Sequence, residues 1–414
     1  MSKPKKNIKS TKVTLKFSNT GKKEQLYSFI DEYRNVVTQF VDILWETEKI
    51  PKFLEKDITS QISSCLSARA ICSAGKQASG IVRGTREKQR KRLYMINKLT
   101  EEGKTKKAKK LQKIYDNVKV SKPNIDIVEP ELDAKFIKLD LENNTSFDGW
   151  LTLASLGYKF KIIIPFKKSK HFNKLLLKGK LKTGVRLSKS NLTFSFELPK
   201  KEKKESGIIL GIDIGQTTLL SCSNNQVSEK DIHGHDLASI TSKLIKKKKG
   251  SKGFAKVSNH RTNYINWSVK QLNFENVNQL RIENIKYLRK GKRSSRKLSH
   301  WNYKEIFDKL HSHCEDLGVQ VITVNPTYTS QRCSSCGWTR KSNRKGKLFK
   351  CGNCGFATDS DLNASKNIAL PDLLTLGKSI RLEHPNKKGF FWLCSGQELR
   401  VPVVQKAFVD NICL

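Results

Sequence analysis

Residues 333–367 read CSSCGWTRKSNRKGKLFKCGNCGFATDSDLNASKN and are the most informative segment of the chain. It contains two Cys-x-x-Cys hooks, one at Cys333 and Cys336 and one at Cys351 and Cys354, with fourteen residues between them. Each hook supplies two thiolates from one tight turn, which is typical of a tetrahedral zinc ribbon. A disulfide pair, or four unrelated buried cysteines, is the alternative interpretation. The sequence therefore predicts one structural Zn²⁺ bound by these four cysteines.

The composition of the chain indicates a polyanionic partner. The 414 residues include 80 Lys and Arg against 38 Asp and Glu, which gives a formal net charge of +42 and a pI of about 9.9. Repulsion within so basic a fold is relieved when a nucleic acid binds to it. Residues 1–10 lack the apolar segment of a secretory signal, and no run reaches the length of about 18 apolar residues that a membrane span needs. We expect a cytoplasmic prokaryotic protein that acts at the nucleoid and has no membrane partner.

The N-terminal half is predicted to contain a helical lobe inserted into a small β-barrel. Apolar residues recur at helical spacing from residue 26 to residue 44, and helical character continues to about residue 120. Residues 83–122 contain fifteen Lys or Arg and four acidic residues, a net charge of about +11 that favours phosphate contacts over a merely solvated face. Strands are predicted at residues 13–17, 136–141, 150–156, 160–166, 184–187 and 192–198.

Two carboxylates upstream of Asp361 also lie in settings that suit a nuclease. Asp213 lies in the apolar stretch IILGIDIG at residues 208–215, where burial of an acid is costly unless a cation compensates it. Gly211 and Gly215 are predicted to leave room for a phosphate. Glu283 ends the short strand QLRIE at residues 279–283. A turn residue is the alternative interpretation of Asp213, and the Glu283 stretch is a weak signal on its own.

The order of these features is that of an RNase H-like fold. A strand with Asp213 is followed by a hairpin, a helix, a strand with Glu283, another helix and strand, and the late acid Asp361. Carboxylates that converge in this fold hold two Mg²⁺ ions for phosphodiester hydrolysis.

The combined motifs resemble the TnpB family, which are transposon-encoded, RNA-guided DNA endonucleases related to the miniature type V CRISPR effectors. The matching motifs are GIDIG at 211–215, IEN at 282–284, YTSQRC at 328–333, the two hooks, and DLNASKNI at 361–368. The resemblance implies that Asp213, Glu283 and Asp361 bind two catalytic Mg²⁺ ions. It also implies that the protein is an endodeoxyribonuclease whose partners are a guide RNA and target double-stranded DNA. We expect the protein to be a monomer.

The resemblance further implies a multidomain α+β architecture. A wedge β-barrel would comprise residues 1–22 and 124–204, and a helical recognition lobe residues 23–123. An RNase H-like, RuvC-type nuclease would comprise residues 205–327 and 358–370, interrupted by the zinc ribbon at 328–357. Residues 371–414 match no element of the family and receive no predicted role.

A basic segment follows Glu283 and contains no acid. The cations of this segment are better explained by contact with a strand of nucleic acid that passes the catalytic acids than by a contribution to solubility. Since contacts to the nucleic-acid backbone carry affinity but no sequence information, no base-reading role is assigned to them. His233 and His235 are interpreted as loop residues rather than ligands. The candidate nucleic-acid contacts are Arg289, Lys290, Lys292, Arg293, Arg296, Lys297 and, beside the first hook, Arg332.

Three alternative functions fit parts of the same pattern. A CRISPR-associated miniature type V effector would use a processed guide from a repeat array. A guide-binding regulator would not cut DNA, which the intact set of three acids argues against. A guide-independent RNase H-fold transposase or resolvase would need no basic helical lobe for a long heteroduplex.

Overall fold

The computed structural model describes nine ranges of the chain, which divides into two compact units, Met1–Pro199 and Lys200–Leu414. The described ranges are residues 7–48, 50–51, 54–117, 121–142, 145–157, 161–285, 300–370, 379–383 and 388–394. No helix within these ranges is both long enough and apolar enough to cross a membrane.

The first unit contains two antiparallel sheets. One sheet has the strand order β1-β7-β6-β2 and consists of β1 (Asn7–Thr14), β2 (Glu131–Leu132), β6 (Lys180–Leu187) and β7 (Asn191–Leu198). The other consists of β3 (Ile137–Asp140), β4 (Gly149–Leu153) and β5 (Ile162–Phe166). Alternate apolar side chains of β7, among them Phe194 and Phe196, are buried because successive residues of a strand face opposite sides.

The helices of the first unit are α1 (Thr20–Glu46), α2 (Lys56–Thr59), α3 (Ala68–Glu101), α4 (Thr105–Asn117) and α5 (Lys170–Lys178). The predicted amphipathic helix over residues 26–44 is confirmed, because α1 buries Leu26, Tyr33, Phe40 and Leu44 on one face. The basic run at 83–122 lies largely on α3 and α4, and most of its described Lys and Arg side chains are exposed. Helix α5, which the sequence did not predict, begins after the capping residue Ser169.

The second unit is built on a mixed sheet with the strand order β11-β10-β8-β9. Its strands are β8 (Ile208–Asp213), β9 (Ser221–Cys222), β10 (Val277–Glu283) and β11 (Gln320–Val324). Strand β10 is parallel to both β8 and β11, while β9 returns antiparallel to β8. The helices of this unit are α6 (Leu237–Ile245), α7 (Lys252–Gln271), α8 (Tyr303–Leu317) and α9 (Ser360–Ala369).

Two three-stranded sheets form around the Cys-x-x-Cys hooks. One has the order β13-β14-β15 and consists of β13 (Arg344–Lys345), β14 (Leu348–Lys350) and β15 (Ala357–Asp359). The other has the order β12-β17-β16 and consists of β12 (Trp338–Thr339), β16 (Ser379–Glu383) and β17 (Phe390–Cys394). The C-terminal segment, which received no predicted role, therefore adds two strands to the ribbon.

Candidate active site and cysteine cluster

Asp213 and Glu283 end two neighbouring parallel strands. In the pairing of β8 with β10, Ile212 lies opposite Ile282, so the residue that follows in each strand is an acid. The carboxyl ends of parallel strands form the edge where open sheets commonly bind ligands. The register thus places both acids at one edge of the sheet.

The third acid, Asp361, is positioned by helix α9. It lies in the first turn and is 5% exposed, and the side chain of Asp359 caps the helix by accepting from the Asp361 N–H at 2.9 Å. Helix α9 packs on β8 so closely that a Cβ atom on Gly211 would lie 2.1 Å from the carbonyl oxygen of Ser365. This backbone contact holds the acid of α9 near the acid of β8.

The roles predicted for the two glycines need correction. The space beside Gly211 is filled by α9 and is therefore not available to a phosphate. The close approach of α9 to β8 requires a residue without a side chain at this position. Gly215 belongs to a tight turn, since an added Cβ would lie 2.3 Å from the Thr218 carbonyl oxygen and 3.7 Å from Asp361 Oδ2. Both glycines therefore help to assemble the acids.

Two of the acids, Asp213 and Glu283, have raised pKa values. Burial, with the negative charges of Glu283 and Asp361, raises the pKa of Asp213 from its ordinary value of 3.8 to about 8. Burial also raises the pKa of Glu283, which a hydrogen bond from Thr329 opposes. A bound cation relieves such repulsion, and carboxylate oxygens are the ligands that Mg²⁺ prefers. The donor chemistry of the three side chains therefore suits a divalent cation.

Two cations from the hairpin between β13 and β14 contact the same carboxylate. Arg344 Nη2 lies 3.2 Å from Asp361 Oδ1, and Lys347 Nζ contacts Asp361 Oδ2. Lys347 Nζ also donates to Thr218 Oγ1 at 2.7 Å, in the turn that follows β8. The hairpin inside the ribbon thus supplies positive charge directly to the cluster of acids.

Glu283 is held through its side chain and its backbone. The hydroxyl of Thr329 donates to Glu283 Oε1, and the hydroxyl of Tyr303 donates to the Glu283 backbone carbonyl. Burial raises the pKa of Tyr303 to about 12, so this hydroxyl keeps its proton at neutral pH. Both contacts come from segments that follow β10 in the chain.

Two asparagines one turn apart on α9 hold the segment that leads into the first hook. Asn363 Nδ2 donates to the Arg332 carbonyl at 2.7 Å, and Asn363 Oδ1 accepts from the Ser334 N–H at 2.9 Å. Asn367 Nδ2 donates to the carbonyls of Thr329 and Arg332 at 2.8 and 2.7 Å. Residues four apart share one helix face, so the spacing of the two asparagines allows both to reach the same turn-containing segment.

The four cysteines come together as predicted. The Sγ atoms of Cys333 and Cys354 are 3.8 Å apart, those of Cys336 and Cys351 are 3.6 Å apart, and all four lie within 4.8 Å of one another. Thiolates at about 2.3 Å from a tetrahedral Zn²⁺ would be about 3.8 Å apart. Hydrogen bonding from neighbouring thiols raises the pKa of Cys336 and lowers that of Cys351. The donor set and its spacing fit one zinc ion.

One predicted nucleic-acid contact is wrong. The side chain of Arg332 is fully buried and donates to the Trp392 carbonyl at 2.7 Å and to Asn367 Oδ1 at 2.7 Å, so it does not face a phosphate. The other predicted contacts, Arg289, Lys290, Lys292, Arg293, Arg296 and Lys297, lie outside the described residues.

Other residues behave as the sequence indicated or were missed by it. His233 and His235 lie in the loop before α6, where their backbone N–H groups donate to Asp231 Oδ1, both at 2.9 Å. Sequence reasoning missed the contacts of Thr329, Arg344, Lys347, Asn363 and Asn367. Three of these five lie inside the motifs quoted for the family resemblance, and that is the signal that could have found them.

Parts of the chain are similar to known proteins. The family model described as Cas12f1-like, TNB domain matches residues 303–368. The CRISPR-associated endodeoxyribonuclease Cas12f1 of Sulfoacidibacillus thermotolerans is 36% identical over 121 residues, which are 29% of this chain and 28% of that protein. The TnpB-like protein aq_aa05 of Aquifex aeolicus (strain VF5) is 31% identical over 126 residues, which are 26% of this chain and 41% of that protein.

The matched stretches thus span less than half the length of these curated relatives. Among solved structures, the cryo-EM structure of a Cas12f1–sgRNA–target DNA complex has a TM-score of 0.45 at 17% identity, covering 88% of this chain and 99% of that chain. The matches in sequence confirm the predicted resemblance: parts of the chain are similar to TnpB-like and Cas12f1 proteins, and the Cas12f1-like, TNB domain model matches residues 303–368.

Proposed function

We propose that this chain is an RNA-guided, Mg²⁺-dependent DNA endonuclease whose cutting site consists of Asp213, Glu283 and Asp361. The observation that carries the proposal is the convergence of the three acids, two at adjacent strand ends and one on the helix packed against β8. The names of the relatives, one an endodeoxyribonuclease and one TnpB-like, support the same activity.

The order of elements supports an RNase H-like, RuvC-type nuclease. Strand β8 ends at the first acid, β9 pairs back on it, β10 ends at the second acid, β11 lies parallel to β10, and α9 brings the third. In this proposal, residues 205–327 and 358–370 form the nuclease and residues 328–357 the inserted ribbon. The wedge barrel (1–22 and 124–204) and the recognition lobe (23–123) would hold the guide–target duplex.

The three acids would bind the catalytic metal in this mechanism. Two Mg²⁺ ions, when bound, activate a water nucleophile and stabilise the leaving oxygen of the phosphodiester. Asp213 and Glu283 would hold them from the sheet edge, and Asp361 from the helix. Thr329 and Tyr303 would keep Glu283 in place, while Arg344 and Lys347 add positive charge where a scissile phosphate would lie.

The ribbon metal would serve a different purpose. One Zn²⁺ on Cys333, Cys336, Cys351 and Cys354 would link the two hooks and contribute to folding. Soft thiolates select zinc over Mg²⁺, so the two metals would not exchange places.

A guide RNA would be the standing partner of the basic chain. A formal charge of +42 suits a bound RNA on the order of a hundred nucleotides. Each phosphate that the protein neutralises releases a counterion, and this release favours binding. Guide pairing would supply sequence specificity, and the protein would read the shape of the heteroduplex and a short flanking motif.

The experiment that tests this proposal is to purify the full chain, sequence the RNA that co-purifies, and assay cleavage with reprogrammed guides. We expect one abundant RNA whose single-stranded end dictates the DNA that is cut, and no cleavage by the Asp213→Asn variant. Equal cleavage by RNA-free protein, or a target unchanged by a new guide, would instead favour a guide-independent RNase H-fold enzyme. Repeat-derived sequence or transposon-end sequence in the RNA would distinguish the CRISPR context from the transposon context.

A further inference from the structure

We propose that Thr329 is a positioning residue for Glu283 and that the C-terminal strand β17 holds Thr329 in place. The proposal deepens the proposed function and rests on it, because it concerns the same metal site. It assigns a role to a C-terminal segment that no motif of the sequence explains.

The hydrogen bond from Thr329 to Glu283 is buried and has a defined direction. Thr329 is 2% exposed, and its hydroxyl lies within reach of Glu283 Oε1 and, at 3.2 Å, of the Pro326 carbonyl. A hydroxyl has one proton, and a carboxylate is the stronger acceptor, so the proton goes to Glu283. One carboxylate oxygen is thereby fixed, and the other, Oε2, would be the one to bind a metal ion.

The backbone directly before Thr329 adopts an uncommon conformation. Tyr328 has a φ of 61°, in the left-handed region that a residue with a bulky side chain rarely adopts. Its ring packs against the rings of Phe390 and Trp392, with centroids 5.3 and 5.7 Å away. Strained backbone persists where its surroundings hold it, and here two aromatic residues of β17 do so.

The segment is held by the same strand at its other end. The guanidinium of Arg332 donates to the Trp392 carbonyl at 2.7 Å and to Asn367 Oδ1 at 2.7 Å. Asn367 in turn donates to the Thr329 carbonyl at 2.8 Å. Strand β17 and helix α9 thus fix both sides of Thr329, and α9 also carries Asp361.

The test compares three variants of the full chain. Thr329→Val keeps the shape of the side chain but removes the hydroxyl, while Thr329→Ser keeps the hydroxyl. The matched control is Thr339→Val, which removes a buried ribbon hydroxyl that donates only to the Gly337 carbonyl in the described structure. Guided cleavage is measured across Mg²⁺ concentrations, and Mn²⁺ affinity is measured by calorimetry on RNA-free protein.

We expect Thr329→Val to weaken Mn²⁺ binding or cleavage about 10- to 100-fold, as removal of a group that orients a metal ligand does. Thr329→Ser and Thr339→Val should stay within about threefold of the wild type, since neither removes the orienting hydroxyl. Target binding should not change in any variant.

Two results overturn the proposal. One is a Thr329→Val variant that binds Mn²⁺ and cleaves like the wild type; the other is an equal loss in Thr329→Val and Thr339→Val, which would indicate a general effect on ribbon stability. Wild-type protein that binds Mn²⁺ but cuts no DNA would contradict the proposed function while leaving the metal-affinity comparison intact. Wild-type protein that binds no Mn²⁺ would overturn both.

Discussion

Arg344 Nη2 lies 3.2 Å from Asp361 Oδ1, so a guanidinium of the ribbon contacts an acid of the candidate active site. Lys347 contacts the second oxygen of the same carboxylate. The two cations thus contact both oxygens of a carboxylate that a divalent metal ion would also bind. Without a divalent metal they offset repulsion among the acids.

Removal of the Arg344 charge should make the protein more dependent on divalent metal. In Arg344→Gln, we expect the metal-free unfolding temperature to fall by about 2–4 °C, which corresponds to about 1 kcal/mol for a partly exposed ion pair in a domain of this size. Mg²⁺ should then raise that temperature by more than it does in the wild type, since a competing cation is gone. Thermal unfolding with and without Mg²⁺ measures both effects. Lys345→Met, on the exposed side of the same hairpin, is the control, and a similar response of both variants would contradict the prediction.

The raised pKa of Asp213 predicts how stability depends on pH. The Asp213 carboxyl has a pKa near 3.8 in the unfolded chain and near 8 in the metal-free fold. Between these two pH values the folded state binds a proton that the unfolded state does not bind. The free energy of unfolding therefore falls as the pH rises from about 4 to about 8. Asp213→Asn has no such proton. Its free energy of unfolding should therefore exceed that of the wild type by an amount that grows from about pH 4 to about pH 8. Denaturant unfolding in chelator measures this difference, and a difference that is constant with pH would refute the assigned cause.

Loss of one hook should release the ribbon metal. The double variant Cys351→Ser/Cys354→Ser is expected to lose its single zinc and most of its cleavage activity, and added Mg²⁺ should not restore either, because hydroxyls do not replace soft thiolate ligands. Elemental analysis and a cleavage assay test this. Cys65→Ser/Cys72→Ser, which changes two exposed cysteines of the first unit, serves as the control. Full zinc content in the first variant would exclude these ligands.

The C-terminal strand should stabilise the ribbon through one buried ring. Phe391 is 1% exposed and packs edge-on against Trp338, with centroids 4.9 Å apart. We expect Phe391→Ala to destabilise the ribbon by about 3–5 kcal/mol, the usual range for a deleted core aromatic. The rate at which a chelator removes zinc reports this loss. Leu348→Ala, at a site that is 57% exposed, should leave the rate nearly unchanged.

Gly211 should tolerate no side chain. A methyl group there would lie 2.1 Å from the Ser365 carbonyl oxygen and 2.5 Å from the Ala369 nitrogen, both backbone atoms of α9. Gly211→Ala is therefore expected to separate α9 from β8, with loss of cleavage and a lower unfolding temperature. Gly84→Ala, in a helix with open space around it, should be neutral or stabilise by up to about 1 kcal/mol. Wild-type cleavage by Gly211→Ala would show that the helix can shift without consequence.

The sequence predicted those parts of the site whose residue types carry the chemistry. The cysteine hooks were predicted from thiolate spacing, and Asp213 from the cost of an acid in an apolar strand. Other parts depended on contacts between distant segments. Nothing local to Gly211 indicates that α9 returns to pack on it, so the glycine was assigned to a phosphate.

Arg332 illustrates a second limit of sequence reasoning. Arginine is mostly exposed in folded proteins, and one beside a zinc hook in a basic chain reasonably suggests a phosphate contact. Its burial depends on acceptors supplied by Trp392 and Asn367, which lie far along the chain. The pairing of β17 with β12 is equally nonlocal and follows no motif, so the C-terminal segment could not be placed.

The pairing of β17 with β12 also bears on the order in which the protein is made. Translation proceeds from the N-terminus, and segments fold as they emerge. Both hooks and Asp361 precede β17 in the chain, so zinc can bind before the last strand of that sheet exists. Tyr328 and Arg332 acquire their partners on β17 only when residues 390–394 have been synthesised. A nascent chain would thus bind zinc before the proposed nuclease site is complete, and cutting would wait until synthesis has passed that strand.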